Sequence, residues 1–199
     1  MDQETLAAYD AAAAIYAQDW HAQPPPIDMH ALIRRFFKAG LTADIGCGSG
    51  RDVAWLNSHG FPAVGYDPSD GLMAQARARY PGLAFKVAAL PKLAGIADDT
   101  FDNVLCETVI MHLAHGDIAP SVRRLMSILS VDGILYLSWR VTKDADTRDA
   151  AGRLYAAFDK DFALQALASH AILLNEEVVS ASSGKTIYRV IARKGRVAA

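Results

Sequence analysis

Short apolar runs alternate with helix-length stretches between residues 41 and 139, and this alternation limits the folds open to the chain. Strands that alternate with helices form right-handed crossovers and a mostly parallel sheet that is covered on both faces. The runs that predict strands are residues 41–45, 63–66, 83–88, 101–106 and 134–139. The helices predicted between them are residues 49–58, a helix capped by Ser69 and stopped at Pro81, and residues 122–129.

The N-terminal end of the chain departs from this alternation. Residues 5–20 are rich in alanine and carry apolar and aromatic side chains at helical spacing, which predicts one helix. The three prolines at 24–26 cannot continue that helix, so they mark a joint. A second helix is predicted from an Asp28 cap to Gly40.

The C-terminal third of the chain predicts a different arrangement again. Residues 149–169 have a helical pattern, which predicts a helix in one or two pieces. Two strand-like runs follow, residues 171–180 and 186–193, and a turn-rich stretch joins them. They predict a terminal hairpin, which requires one strand to run antiparallel to the rest of the sheet.

The composition narrows the class of protein. A length of 199 residues with 52% hydrophobic residues suits one α/β domain with a buried core. A net charge of -2 gives no electrostatic reason to expect nucleic acid or an anionic membrane surface as a partner. We find no apolar run of membrane-spanning length and no basic segment at the acidic start of the chain, so we expect a cytoplasmic protein. The two cysteines cannot complete a four-ligand zinc site, and no metal is expected.

A glycine-rich turn, Asp44-Ile45-Gly46-Cys47-Gly48-Ser49-Gly50, follows the first predicted strand and opens a helix. Glycines there let the backbone turn sharply and let a ligand approach its amide groups. The spacing is G-x-G-x-G preceded by an acid, which differs from the G-x-G-x-x-G of most dinucleotide sites. A nicotinamide-dependent reductase is therefore disfavoured.

Asp67 ends the second predicted strand, beside the glycine turn of the first. Its two carboxylate oxygens are able to accept both hydroxyls of a ribose. The alternative is that Asp67, Pro68 and Ser69 form only a turn and a helix cap. The glycine turn at the right distance favours ribose binding.

Four segments in this order resemble the motif series of class I S-adenosylmethionine-dependent methyltransferases, and are most similar to the bacterial type-11 and type-12 group. They are residues 44–50, 64–69, 101–106 and 132–138, within a resemblance that covers about residues 32–139. The resemblance implies a Rossmann-like three-layer sandwich. Its seven-stranded sheet would have the order 3-2-1-4-5-7-6 with the last strand antiparallel. It also implies S-adenosylmethionine as cofactor and S-adenosylhomocysteine as product.

The resemblance divides the chain, predicted to be a single domain over residues 1–199, into three parts. Residues 1–27 are the N-terminal helix and its proline-rich joint, which we expect to close over the cofactor as a lid. Residues 28–140 are the cofactor-binding core. Residues 141–199 are a variable helix and the terminal hairpin, in which this superfamily often builds its acceptor pocket.

The resemblance also implies which side chains contact the cofactor. The methionine part would lie over the turn that holds Asp44, Gly46, Cys47, Gly48 and Gly50, and the ribose would lie against Asp67 and Pro68. Met73 would contact adenine or pack in the core, and Tyr16 of the lid would cover the cofactor. Family members often carry an adenine-binding acid after the third strand. This chain has none there, so the backbone of Ala89 and Leu90 is the candidate replacement. A second departure, Val131-Asp132-Gly133 in place of Pro-Gly-Gly, lies away from the site.

Candidate catalytic residues follow the fourth predicted strand, whose carboxyl end faces the ligand edge of the sheet. Glu107 would attract the cationic cofactor or take a proton from the acceptor. A helix-capping role for Glu107 is an equal alternative. His112 resembles a histidine common in the family. Local packing is favoured over a catalytic role for it, because a sulfonium is already an excellent leaving group.

Candidate acceptor-binding residues follow the fifth predicted strand. Trp139 would form an apolar wall, and Arg140 would bind a carboxylate or phosphate. The alternative for Arg140 is an ion pair with Asp144, Asp146 or Asp149. Arg153 and Tyr155 are placed at the acceptor by family analogy alone.

Together these expectations predict methyl transfer from S-adenosylmethionine to an unidentified small molecule, with neither nucleic acid nor membrane as partner. The alternative is a cofactor-binding or scaffolding module that keeps the fold without turnover. An aminopropyl transferase is disfavoured because no acid-rich polyamine groove is evident. The sequence does not define the acceptor atom or the oligomeric state.

Overall fold

A computed structural model describes residues 1–195; residues 196–199, the end of the predicted variable part, lie outside the described residues. One seven-stranded sheet forms the centre of the structure. Its strands are β1 (Thr42–Ile45), β2 (Ala63–Asp67), β3 (Ala84–Val87), β4 (Phe101–Cys106), β5 (Leu129–Arg140), β8 (Ala171–Val179) and β9 (Thr186–Arg193). Their spatial order is β3-β2-β1-β4-β5-β9-β8. The first five strands are parallel, and β9 is antiparallel to both β5 and β8, which confirms the predicted order and the terminal hairpin.

Helices cover both faces of the sheet, as predicted for a three-layer sandwich. They are α1 (Gln3–Ala11), α2 (Ala13–Ala22), α3 (Ile27–Phe36), α4 (Arg51–Ser58), α5 (Asp70–Arg79), α6 (His115–Ser127) and α7 (Lys160–Ala166). Apolar side chains of α3, α4 and α5 pack in one core cluster, and those of α6 and α7 pack in the other. Within residues 1–195, none of the helices combines the length and apolar character needed to cross a bilayer.

The single N-terminal helix predicted over residues 5–20 is wrong, because the structure has two helices there. Ala12 leaves the helical conformation with φ -122° and ψ 23°, and α2 starts at the next residue. A straight helix of this length would extend roughly 25 Å along one line. The break instead lets α1 and α2 wrap over the carboxyl ends of the strands.

The predicted bounds of α3 are also wrong. The helix begins at Ile27 with Pro26 at the cap position, and Asp28 lies in its first turn. Asp28 forms an ion pair of 2.8 Å with Arg189 of β9, so tertiary contact replaces the capping role. The helix ends at Phe36, because Phe37 adopts an extended conformation with ψ 146°.

The boundary between α6 and β5 lies earlier than the apolar pattern indicates. The helix predicted over residues 122–129 starts at His115 and stops at Ser127, and Leu129 already pairs with Phe101 in the sheet. An irregularity in that pairing absorbs residues 130–133, where Asp132 has φ +64°. The predicted turn at 131–133 is therefore a bulge inside one long strand.

The helix predicted over residues 149–169 is present only as α7. A short antiparallel pair, β6 (Thr147–Arg148) and β7 (Leu154–Tyr155), takes up the first part. Asp149 Oδ1 accepts hydrogen bonds of 3.0 Å from the backbone of both Ala151 and Arg153, and Gly152 has φ +87°. This side-chain turn competes with helix formation.

Candidate functional site

The glycine turn between β1 and α4 is held open by backbone conformation. Gly46, Gly48 and Gly50 have φ values of +77°, +52° and +82°, in the left-handed region that favours glycine. The amides of Gly46 and Cys47 donate to the carbonyl of Tyr66 at 2.7 and 3.1 Å, which ties the turn to β2. A side chain at Gly46 would come within 2.2 Å of Val109, so the turn has no room for one there.

Asp67 reaches from the end of β2 to the glycine turn. Its Oδ2 accepts from the amide of Gly48 at 3.0 Å, and its Oδ1 accepts from the amide of Ser69 at 2.9 Å. Burial raises the pKa of Asp67 to about 6, although these two amide hydrogen bonds act in the opposite direction. Each carboxylate oxygen keeps a second lone pair, so both remain able to accept a hydroxyl.

Asp44 ends β1 beneath the turn and is only 3% exposed. Its Oδ2 atom is buried and has no hydrogen-bond partner among the described residues. Burial, with Asp52 and Asp67 nearby, raises the pKa of Asp44 well above its usual range. A buried carboxyl group with a free oxygen is complementary to a cationic ligand group, because a cation beside it favours its charged form.

Glu107 follows β4 and enters the same site. The Ser138 hydroxyl donates to Glu107 Oε2, and the buried Tyr136 hydroxyl lies nearby without a hydrogen-bond partner within residues 1–195. Burial raises the pKa of Glu107 to about 7. This carboxyl group therefore changes its charge near neutral pH.

His112 is held on both of its ring nitrogens. Nδ1 lies 2.5 Å from the carbonyl of Leu154, which requires the proton on Nδ1 and leaves Nε2 as an acceptor. The Tyr9 hydroxyl lies 3.0 Å from Nε2 and donates to it. Burial lowers the pKa of His112 to about 4, so the ring is neutral at physiological pH. These two contacts hold the His112 ring in a fixed orientation.

Helices α1 and α2 cover the site at several points. Asp10 accepts from the Ser69 hydroxyl at 2.6 Å and from the amide of Gly71 at 3.0 Å, at the start of α5. The Trp20 ring lies over Gly48, so that a side chain at Gly48 would come within 2.7 Å of it. Arg51 donates to the carbonyl of Trp20 at 3.1 Å.

Beneath these two helices lies a cavity of about 320 Å³. Eleven of the residues singled out in the sequence line it: Asp44, Gly46, Cys47, Gly48, Asp67, Pro68, Glu107, His112, Arg140, Arg153 and Tyr155. The structure thus brings together side chains from the glycine turn, from three strand ends and from the segment after β5. The remaining candidates lie outside the lining: Tyr16, Gly50, Met73, Ala89, Leu90 and Trp139.

Two of those outlying residues belong to the core. Met73 is 0% exposed and packs between α5 and the sheet, which is the packing alternative stated for it. Trp139 is 2% exposed, and its ring lies 5.5 Å from that of Phe158 and 5.0 Å from that of Tyr188. Successive side chains of a strand point to opposite faces, so Trp139 enters the core while Arg140 borders the cavity.

Of the other four, Gly50 is the N-terminal cap residue of α4. The remaining three belong to α2 and to the loop after β3. Tyr16 stacks on Trp20 with ring centroids 5.8 Å apart, so it supports a lining residue from behind. The carbonyl of Ala89 accepts from the amide of Leu93 at 2.8 Å, and that of Leu90 accepts from the Met1 nitrogen at 3.0 Å. Both carbonyls are therefore engaged within the protein.

Sequence reasoning missed one side of the cavity. The turn between β8 and β9 contributes Ser180, Ser182, Ser183 and Lys185 to the lining, and Tyr9 of α1 and Trp20 of α2 complete it. Ser182 Oγ lies 3.4 Å from Gln23 Oε1 and 3.5 Å from Arg51 Nη1, so the turn contacts the end of α2. No local pattern marks such a contact, since residues far apart in sequence create it.

The comparisons with known proteins agree with this geometry. Residues 43–137 match the family model described as "Methyltransferase domain". This segment of the chain is therefore similar to methyltransferase domains. The match spans the glycine turn, Asp67, Glu107 and most of β5, and it supports methyl transfer as the activity. None of the curated proteins matches the chain.

Solved structures share the fold at low sequence identity. A Burkholderia thailandensis 1,6-didemethyltoxoflavin-N1-methyltransferase, with its substrate and S-adenosylhomocysteine bound, is 18% identical with a TM-score of 0.75, covering 97% of this chain and 88% of that one. A Mesorhizobium loti S-adenosylmethionine-dependent methyltransferase is 21% identical with a TM-score of 0.69, covering 82% and 96%. A chain from the complex between the Haloferax volcanii Trm112 methyltransferase activator and a candidate methyltransferase is 15% identical with a TM-score of 0.74, covering 98% and 99%.

The residues present fit S-adenosylmethionine, the cofactor that the description of the Mesorhizobium loti neighbour names. The free oxygen of Asp44 suits a cation, and the open turn at Gly46 and Gly48 leaves backbone at the cavity surface. The second lone pairs of Asp67 suit a diol. These three features lie in one lining and belong to the methyltransferase domain.

Proposed function

We propose that this protein transfers a methyl group from S-adenosylmethionine to a small-molecule acceptor inside the covered cavity. The observation that carries the proposal is a cavity of about 320 Å³ at the strand ends, which α1, α2 and the β8–β9 turn partly cover. Ligand pockets of small molecules begin at roughly this volume.

The cofactor, when bound, supplies an activated methyl group on a sulfonium. Asp67 would hold the ribose hydroxyls, and the unpaired oxygen of Asp44 would accept from a cationic part of the ligand. The backbone of the glycine turn would lie against the amino-acid part. The chain itself contributes mainly alignment and the exclusion of water, because a sulfonium needs no protonation to leave.

Glu107 is our candidate for the proton released by the acceptor. With its pKa at about 7, the carboxylate is present in substantial amount at neutral pH and is basic enough to take a proton. Ser138 fixes one carboxylate oxygen by donating to it, which leaves the other for the acceptor. His112 serves the reaction indirectly, since it orients the Tyr9 hydroxyl above the cavity.

A small-molecule acceptor also has support from one structural neighbour. The Burkholderia thailandensis enzyme holds its small substrate together with S-adenosylhomocysteine. The slightly negative net charge of -2 gives no overall electrostatic attraction for the phosphate backbone of a nucleic acid. The Haloferax volcanii neighbour was solved in complex with an activator, so a protein partner is a further possibility to test.

Two measurements test this function. Calorimetry should detect binding of S-adenosylmethionine and S-adenosylhomocysteine, and no binding of NAD(H). Methyl label from the cofactor should then enter a metabolite extract and leave total RNA and total protein blank. Tight NADH binding without adenosylhomocysteine binding contradicts the cofactor, and label in RNA or protein contradicts the acceptor class. Cofactor binding with no label in any fraction points to a binding module without turnover.

A further inference from the structure

Charges inside the cavity are separated by position. The carboxyl groups of Asp44, Asp67 and Glu107 lie at the ends of β1, β2 and β4, where the cofactor would bind. The cationic side chains Arg140 and Lys185 border it from the end of β5 and from the β8–β9 turn. A cationic cofactor suits the first group, so the second is available for a different ligand.

Most of the other cations of the cavity are already paired. Arg153 binds Asp149 through Nε at 2.7 Å and Nη2 at 2.6 Å, and its guanidinium lies 4.7 Å from the centre of the Tyr16 ring. Arg51 pairs with Asp52 at 3.3 Å. These two arginines hold the lid and the cavity wall together, and their charge is already balanced.

Arg140 differs from them, because it forms no ion pair within residues 1–195. The sequence offered Asp144, Asp146 and Asp149 as partners. Asp149 is taken by Arg153, and Asp146 accepts from His115 at 2.9 Å and from the amide of Ala157 at 2.8 Å. Asp144 forms no ion pair with any of the described residues. None of the three predicted acidic partners therefore pairs with Arg140 in residues 1–195.

The surroundings of Arg140 favour an oxyanion ligand. Its guanidinium lies 5.0 Å from the centre of the Tyr155 ring, a position that stacks one face and fixes its direction. It borders both the covered cavity and a neighbouring recess of about 400 Å³ that Lys143 also lines. A planar guanidinium offers paired N–H donors that match the two oxygens of a carboxylate or phosphate.

We propose that the methyl acceptor is a small anion, whose carboxylate or phosphate group is bound by the unpaired Arg140 against the Tyr155 ring. This inference rests on the proposed function, because it concerns the acceptor of the same reaction. The anionic group anchors the acceptor at the end of β5, and the nucleophile then points toward the carboxyl-lined half of the cavity. Neutral analogues of equal shape lack the anchor.

The test separates a small-metabolite extract by ion exchange into anionic, neutral and cationic pools. Each pool is incubated with wild-type protein and methyl-labelled cofactor, and incorporated label is counted. We expect label from the anionic pool alone. Pretreatment of that pool with alkaline phosphatase distinguishes the two sources, because only a phosphate monoester acceptor loses its label afterwards.

Substitutions of Arg140 test whether this side chain binds the acceptor of the active pool. With the active pool as substrate, Arg140→Gln should lower kcat/KM by roughly 10–100-fold, the usual range for a charged hydrogen-bond partner. Arg140→Lys keeps the positive charge without the paired N–H donors of the guanidinium. Its kcat/KM should lie between that of wild type and that of Arg140→Gln. Arg123→Gln on the exposed surface of α6 is the matched control and should behave as wild type. Affinity for S-adenosylhomocysteine should stay within about twofold in all three variants, which also shows that they fold.

Each alternative outcome has a distinct meaning. Label from the neutral or cationic pool, or an unchanged kcat/KM in Arg140→Gln, overturns the anionic acceptor while methyl transfer stands. Label from no pool, with S-adenosylhomocysteine still bound, overturns the proposed function and this inference with it.

Discussion

The two halves of the cavity differ in charge and in the parts of the chain that build them. The ends of β1, β2 and β4 build the first half. The second half is built by α1, α2, the segment after β5 and the β8–β9 turn. The first half is acidic and comes from short stretches in which a strand, a turn and a helix follow each other. The second half carries Arg140 and Lys185 and joins residues from both ends of the chain. The comparison teaches that the acidic half, our proposed cofactor side, is encoded locally. The half with Arg140 and Lys185, our proposed acceptor side, forms only when distant parts of the chain come together.

The largest effect, on stability, is expected at the end of β5, where Trp139 enters the core and Arg140 borders the cavity. Trp139→Ala should destabilise the protein by about 3–5 kcal/mol, since it empties a buried aromatic site between Phe158 and Tyr188. Chemical denaturation measures this loss. Arg140→Ala, the neighbouring position, is the control and should cost far less because its side chain borders the cavity. Comparable stability losses in the two variants would show that β5 does not divide core from cavity in this way.

The same division explains what the sequence predicted. The fold followed from alternating strands and helices, and the cofactor turn followed from glycines and Asp67 at fixed spacing, because both signals are local. Trp139 was placed in the acceptor pocket because nothing in the sequence defines which side of β5 faces outward. The helix over residues 149–169 failed because Asp149 and Gly152 form a turn that apolar spacing does not reveal.

Asp67 tests the cofactor half directly. Asp67→Ala should weaken S-adenosylhomocysteine binding by about 1.5–3 kcal/mol, because it removes a charged acceptor of two ribose hydroxyls. Calorimetry measures the change, and Asp67→Asn separates loss of charge from loss of shape. Asp70→Asn, exposed at the start of α5, should bind as wild type. Unchanged affinity in a folded Asp67→Ala protein would leave only the turn role, in which Asp67 accepts from Gly48 and Ser69.

The pH dependence of binding sharpens the electrostatic contrast. Burial raises the pKa of Asp67 to about 6 and that of Glu107 to about 7, so both are neutral in acid and become negative as the pH rises through these values. S-adenosylmethionine carries a sulfonium that S-adenosylhomocysteine lacks. The ratio of the affinities for S-adenosylmethionine and S-adenosylhomocysteine should therefore increase by roughly tenfold between about pH 5.5 and 8. This increase corresponds to a shift of about one unit in the pKa of a carboxyl group when the sulfonium binds.

Stability of the ligand-free protein should change in the opposite direction. A carboxyl group whose pKa is raised by folding stabilises the folded state below its unfolded pKa, about 4.3 for Glu. That stabilisation is lost as the pH rises toward about 7, the pKa of Glu107. Glu107→Gln should flatten both profiles, as seen by calorimetry and thermal unfolding. If the wild-type preference for S-adenosylmethionine over S-adenosylhomocysteine does not change with pH, the carboxyl groups of the acidic half do not distinguish the two ligands.

The smallest effect is expected where the lid meets the core. Tyr9→Phe deletes only the hydroxyl that donates to His112 Nε2 at 3.0 Å and leaves the ring in place. The lost hydrogen bond should weaken cofactor binding by about 0.5–1.5 kcal/mol and increase proteolysis within α1 and α2. Tyr16→Phe is the matched control, because the Tyr16 hydroxyl makes no hydrogen bond to residues 1–195 and the ring keeps its contacts with Tyr9, Trp20 and Arg153. If both variants behave alike, the Tyr9 hydroxyl does not hold the lid. Normal cofactor affinity in a stable protein lacking residues 1–22 would show that α1 and α2 are no lid at all.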